Sequence, residues 1–135
     1  MPLRNRSKLC SFDADAALER AHRTVQGTLH SFCEYDATDL RPLYVDDRTL
    51  AVYDDQEAML EHFQRIHTHV HMDFMQIELF RNTLFPSAGR VRYMTTAMDA
   101  LQVVRIYVGE EGLFLALEPE EPVEQVVKAV TATLE

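Results

Sequence analysis

Four of the chain's six histidines fall between His62 and His71. The run His67-Thr68-His69-Val70-His71-Met72-Asp73 is the segment whose residue types bear most directly on chemistry. On a strand, His67, His69, His71 and Asp73 would share one face and offer a set of metal ligands. The apolar spacing around them is helical, however. On a helix only His67 and His71, four apart, stand together, while His69 pairs with Asp73 on a different side. Structural metal sites take about four ligands and catalytic ones about three. His67 and His71 therefore supply half a metal site, completed at an interface between two copies, or else a polar helix flank sensitive to pH.

The remaining chemistry-bearing residues fall into no recognised pattern. Asp46-Asp47, Asp54-Asp55 and Glu118–Glu121 read as turns and helix caps, and nothing marks one carboxyl as desolvated in the way an acid–base pair requires. The four serines, Ser7, Ser11, Ser31 and Ser87, lie in no Gly-x-Ser-x-Gly context, and no phosphate-cradling glycine loop occurs. Arg92 and Arg105 fall on neighbouring predicted strands, where they either hold an anion together or pair with local carboxylates. Cys10 and Cys33, 23 residues apart, match no metal or redox spacing and are expected to be free thiols, Cys33 packed. No catalytic residue and no cofactor is assigned, and the expectation is that the protein is not an enzyme.

The elements that must carry these residues are legible from periodicity. Residues 1–10 are expected to be a disordered tail and residues 11–135 a single α+β domain. Leu18, Ala21, Val25, Leu29 and Phe32 recur at helical spacing, predicting a helix from about Asp13 to about Glu34. Strands follow at Leu40–Val45 and Leu50–Tyr53. Asp54 and Glu57 then open a long helix in a variant of the capping box. Its stripe is Met59, Phe63, Ile66, Val70, Phe74 and Ile77, carried either by one helix or by two with a kink near His69–Met72. Phe80, Leu84 and Phe85 extend its apolar surface. After Pro86–Gly89 come three antiparallel strands, Arg90–Met98, Leu101–Val108 and Leu113–Leu117. The last helix carries Val123, Val126, Val127, Val130 and Leu134. The predicted fold is a five-stranded antiparallel sheet packed with helices, in the order α-β-β-α-β-β-β-α.

Charge narrows the partners. The chain carries 13 basic and 22 acidic residues, for a net charge of −9 at pH 7. Such a body repels phosphate backbones, which argues against nucleic acid. No apolar run reaches the length of a membrane span and the N-terminus carries no secretory pattern, so a cytoplasmic location is expected. Only Lys8 and Lys128 stand against eleven arginines. An acidic, lysine-poor chain fits a salt-rich cytoplasm, although GC-rich coding also favours arginine.

The order of elements resembles the roadblock fold and its profilin-like and longin-like relatives. Tyr35-Asp36, Leu43-Tyr44-Val45-Asp46-Asp47, Val91-Arg92 and Gly112 leading to Leu117-Glu118 also resemble stretches of a small, uncharacterised haloarchaeal protein family. The roadblock resemblance implies a homodimeric, non-enzymatic scaffold or regulator whose partner is a small GTPase or another signalling protein. The stripe Met59, Phe63, Ile66, Val70, Phe74 and Ile77 is the expected partner or dimer interface. A small-ligand sensor with a pocket between sheet and helix is the second expectation, and a histidine-based metal-binding protein the third.

Overall fold

A computed structural model describes residues 1–134. The first helix, α1 (Ala14–Thr24), begins where Asp13 accepts a hydrogen bond from the Ala16 amide at 3.0 Å. It ends ten residues earlier than the apolar spacing predicts. The backbone turns extended at Val25, and β2 (Leu29–Tyr35) follows. The reason for the misreading is a bulge. Strand residues three apart normally face opposite sides. The pairing of β2 with its neighbour shifts between Leu29 and Ser31, so Leu29 and Phe32 both enter the core that α1 covers. An irregular strand thereby imitates a helical stripe.

The sheet has six antiparallel strands, one more than expected: β1 (Leu3–Arg4), β3 (Leu40–Val45), β2, β6 (Glu111–Leu117), β5 (Gln102–Val108) and β4 (Tyr93–Ala97), in that spatial order. Residues Leu50–Tyr53, expected as a strand, do not pair. Asp46 instead caps a single helical turn, α2 (Asp47–Leu50), by accepting from the Thr49 amide at 2.9 Å. The N-terminal residues, expected to be a disordered tail, lie along the sheet. Leu3 pairs with Val45 and Arg4 with Tyr44. The fully buried Glu34 carboxylate then accepts from the Ser7 hydroxyl at 2.6 Å and from the Lys8, Leu9 and Cys10 amides at 2.7, 3.2 and 3.2 Å. A carboxylate without water needs donors, and the backbone of residues 8–10 supplies them.

Helices cover both faces. On one, α1 and α5 (Val123–Thr131) pack over Leu29, Phe32, Val104, Ile106, Leu113 and Leu115. On the other lies the long helical segment. Asp55, one residue beyond the expected cap, accepts from the Ala58 amide and opens α3 (Gln56–Val70). His71 separates it from α4 (Met72–Leu79), so two helices carry the stripe, with the break inside His69–Met72. A π-helical turn, Phe80–Leu84, closes the segment. Gly112 of β6 lies directly under the Tyr35 ring. A Cβ there would meet Tyr35 Cζ at 2.6 Å, so only glycine fits. No helix among the described residues is long and apolar enough to cross a membrane.

Substituting Glu34→Ala is expected to lower stability by about 1–3 kcal/mol, the cost of a lost buried acceptor. It should also raise the hydrogen exchange of the Lys8, Leu9 and Cys10 amides selectively. Uniform exchange across the chain would contradict this anchoring role.

Candidate functional site

The six residues expected to form a partner face point the other way. Met59, Phe63 and Val70 are buried, and Ile66, Phe74 and Ile77 pack beside them against the sheet. The physical reason is that this sheet has two apolar faces. The side away from α1 needs its own cover, and the most regular stripe in the chain provides it. Among the apolar side chains left in solvent, six on or just after α4 are off that stripe: Met72, Met75, Leu79, Phe80, Leu84 and Phe85, with Met75 70% exposed. They form a band along α4 and the π-helical turn, and the segment leads on toward β4, the edge strand.

The histidines also settle into separate places. His67 is buried, and its Nε2 lies 2.8 Å from the Asp36 carbonyl oxygen, tying α3 to the β2–β3 turn. His71 is exposed at the helix break, its ring 6.2 Å from that of His67. One ring nitrogen of His67 is thereby committed to a backbone carbonyl, which leaves its other nitrogen beside the His71 ring. No group of three or more His, Cys, Asp or Glu side chains able to hold a metal ion occurs among the described residues.

A different feature lies between α3 and the sheet. An open cleft of about 910 Å³ is floored by Val103, Phe114 and Ala116 and walled by Phe63, Ile66 and Val70. Arg105 stands in it. Of the two arginines expected on neighbouring strands, Arg92 is exposed and Arg105 is only 9% exposed. Arg105 does pair with a carboxylate, but a buried one from the opposite layer. Its Nε donates to Asp73 Oδ2 at 2.9 Å, and its Nη1 donates to Thr96 Oγ1 at 2.8 Å and to the Val103 carbonyl at 2.9 Å. These are its hydrogen bonds among the described residues, and they leave Nη2 without an acceptor. Tyr107 donates to the same Asp73 oxygen.

The electrostatics follow from burial. Desolvation alone would ease the proton off Arg105, but the hydrogen bond and charge of Asp73 outweigh it and raise its pKa. Burial, then Asp73, pushes the Tyr107 phenol well above its ordinary value, and burial does the same to Tyr35 beside it. At the mouth, His30 Nδ1 sits 2.9 Å from Asp46 Oδ2 and its Nε2 3.4 Å from Glu118 Oε1. Burial alone would raise the Asp46 pKa, but hydrogen bonds from Thr49 and His30 hold it below the usual carboxylate value. The Tyr53 hydroxyl is 2.5 Å from His62 Nδ1, and burial raises the Tyr53 pKa. These groups offer hydrogen-bond donors and acceptors, with the Arg105 guanidinium as the fixed positive charge. Ser31, the serine in the lining, has no hydrogen-bonded base among the described residues.

Arg105 in an apolar strand was the available signal for this site, since a charge there needs a buried partner. Which carboxylate answers it is decided by how α4 crosses β5, and no local spacing encodes that crossing.

Comparison with known proteins defines the fold. The Roadblock/LC7 domain from Streptomyces avermitilis matches with a TM-score of 0.52 at 10% sequence identity, over 89% of this chain and 90% of that one. MglC from Myxococcus xanthus matches with a TM-score of 0.49 at 13% identity, over 89% and 92%. No protein-family model matches the sequence. No curated protein matches it either.

Asp73→Ala is expected to cost about 3–5 kcal/mol, because it strands a buried guanidinium. The double variant Asp73→Leu with Arg105→Met should recover most of that loss in denaturant melts. Additive losses would mean that the pair is not coupled. The tyrosines set an alkaline limit. With folded pKa values raised, Tyr35 and Tyr107 cost nothing below the ordinary tyrosine value of about 10. Above it the unfolded chain releases protons that the folded chain keeps, so stability falls as pH rises. Phenolate absorbance should therefore include a fraction that appears only with unfolding. Smooth ionisation of all five tyrosines in the folded state would contradict this.

Proposed function

We propose that the protein is a non-enzymatic interaction or regulatory scaffold that acts as a homodimer. The observation that carries this reading is the exposed apolar band Met72, Met75, Leu79, Phe80, Leu84 and Phe85. Apolar side chains clustered in solvent mark an association surface. The free edge of β4 adds a row of backbone donors and acceptors open to strand pairing. A two-fold arrangement would join such a surface to its own copy. The roadblock-like fold supports the same reading, since the resemblance implies dimeric platforms. A small GTPase or other signalling protein as the further partner is part of the proposal. So is a halophilic, archaeal cytoplasm as its setting, which rests on the acidic charge and the scarcity of lysine.

The cleft supports a second reading, that of a small-ligand sensor. The two are compatible, because the cleft is walled by the sheet-facing stripe of α3 while the exposed band belongs to α4 and the π-helical turn.

Sedimentation velocity at high salt over a wide concentration range tests the scaffold reading. The wild-type chain should sediment as a dimer. Leu79→Glu with Phe85→Glu should weaken association about thirtyfold, the ~2 kcal/mol of an interface hot spot, with little change in Tm. A strict monomer at every concentration would remove the homodimer.

A further inference from the structure

We infer that the cleft binds a small organic monocarboxylate, its apolar body lying on the sheet and its carboxylate taken by the free Nη2 of Arg105. This rests on the sensor reading and is independent of dimerisation.

Size is the first ground. A volume of about 910 Å³ falls within the range of small-molecule sites, which is roughly 300–1,000 Å³. Lining chemistry is the second. The floor and inner walls are aliphatic or aromatic, with polar groups placed at separate points around them, and this is the usual build of an organic-ligand site. The apolar floor gives a hydrocarbon body a place out of water, where burial contributes about 25 cal/mol per Å².

Charge is the third. The lining includes Arg48, Arg65 and Arg105 against Asp73 and Glu118, and three histidines besides. Removing those five charged residues from the chain's 13 basic and 22 acidic leaves ten against twenty elsewhere. The cleft lining is thus less acidic than the rest of the chain, with Asp46 standing against His30 at its mouth.

Arg105 makes the inference specific. A guanidinium presents its donors in a fixed fork. Here Nε and Nη1 are spent on Asp73, Thr96 and Val103, which fix the plane of the group in advance. Nη2 makes no hydrogen bond among the described residues and is not a fully buried atom, and Arg105 is part of the cleft lining. A carboxylate oxygen accepting there would complete the group's hydrogen bonds without disturbing the ion pair. Asp73 already offsets the Arg105 charge, so the recess suits one negative charge better than a phosphate dianion. Arg48 and Arg65, exposed at the rim, add long-range attraction.

Isothermal titration with three ten-carbon probes below their micellar concentrations tests the proposal: decanoate, decan-1-ol and decyltrimethylammonium. Decanoate should bind saturably at one site per chain, raise Tm, and bind about tenfold or more tighter than the alcohol, the margin of a charge-assisted hydrogen bond. The ammonium probe should bind weakest. Val103→Trp, which fills the floor, should abolish binding. Arg105→Lys keeps the charge beside Asp73 but lacks the fork, and should lose about tenfold. Should that variant fail to fold, Arg48→Gln with Arg65→Gln at the exposed rim should weaken decanoate but not the alcohol. Equal affinity for decanoate and decan-1-ol would overturn the proposal, as would binding indifferent to Val103→Trp. So would a wild-type chain that refuses decanoate while the Leu79→Glu, Phe85→Glu monomer accepts it, since a second copy would then occupy the cleft. Sedimentation of the same samples separates that failure from failure of the dimer.

Discussion

The contact between Arg105 and Asp73 is what joins the long helical segment to the sheet in a single arrangement. Apolar packing holds the layers together but is non-directional, and a greasy helix can slide on a greasy sheet. A buried guanidinium cannot be left unpaired. Its partner must arrive at hydrogen-bonding distance from the opposite layer, and Asp73 does so from the first turn of α4. Tyr107 and Thr96 add bonds to the same cluster, so one strand neighbour and one helix converge there. The helix break at His71 lies two residues before Asp73, where a change of axis can aim the carboxylate without displacing the α3 stripe. Such pairs add little net stability over hydrophobic replacements, while removing one partner alone is strongly destabilising.

Carboxylates do similar work elsewhere. Glu34 gathers the amides of residues 8–10, and Glu121 accepts from the Gln26 and Gly27 amides at 3.0 and 2.9 Å. Asp46 caps α2 and holds His30. An acidic chain with few lysines thus uses backbone amides as the counterparts of its buried acids. Each such bond pins a loop to the sheet. The basic groups are thereby spared from balancing these acids, and several of them collect around the cleft.

How much of this was legible in the sequence depends on whether the signal was local. The last two strands and the closing helix follow from alternation, turn glycines and 3.6-residue spacing, whereas a continuous apolar stripe leaves open whether the long segment is one helix or two. The roadblock-like arrangement of layers follows from their order. The first helix was overextended because the bulge in β2 places Leu29 and Phe32 on one face at a helical interval. The sixth strand is not legible because two residues, Leu3 and Arg4, carry no periodicity at all, and what holds them is pairing with Val45 and Tyr44, some forty positions away. The stripe of α3 and α4 was found residue by residue, yet it was assigned to a partner. A helix pattern marks an apolar side without saying whether the surface it meets belongs to the same chain. Arg105 is legible as a charge on a predicted strand, but its partner Asp73 is not local, and pairing across layers has no sequence spacing.

The close fit of Tyr35 over Gly112 acts as a key between the two central strands. Sliding β6 by two residues, the smallest step that keeps its faces correct, would drive the Phe114 side chain into the Tyr35 ring in one direction and bring the turn residue Glu110 against it in the other. The middle of the sheet can therefore close in only one alignment. Both helical layers, and the recess between one of them and the sheet, inherit their positions from a vacancy one side chain wide.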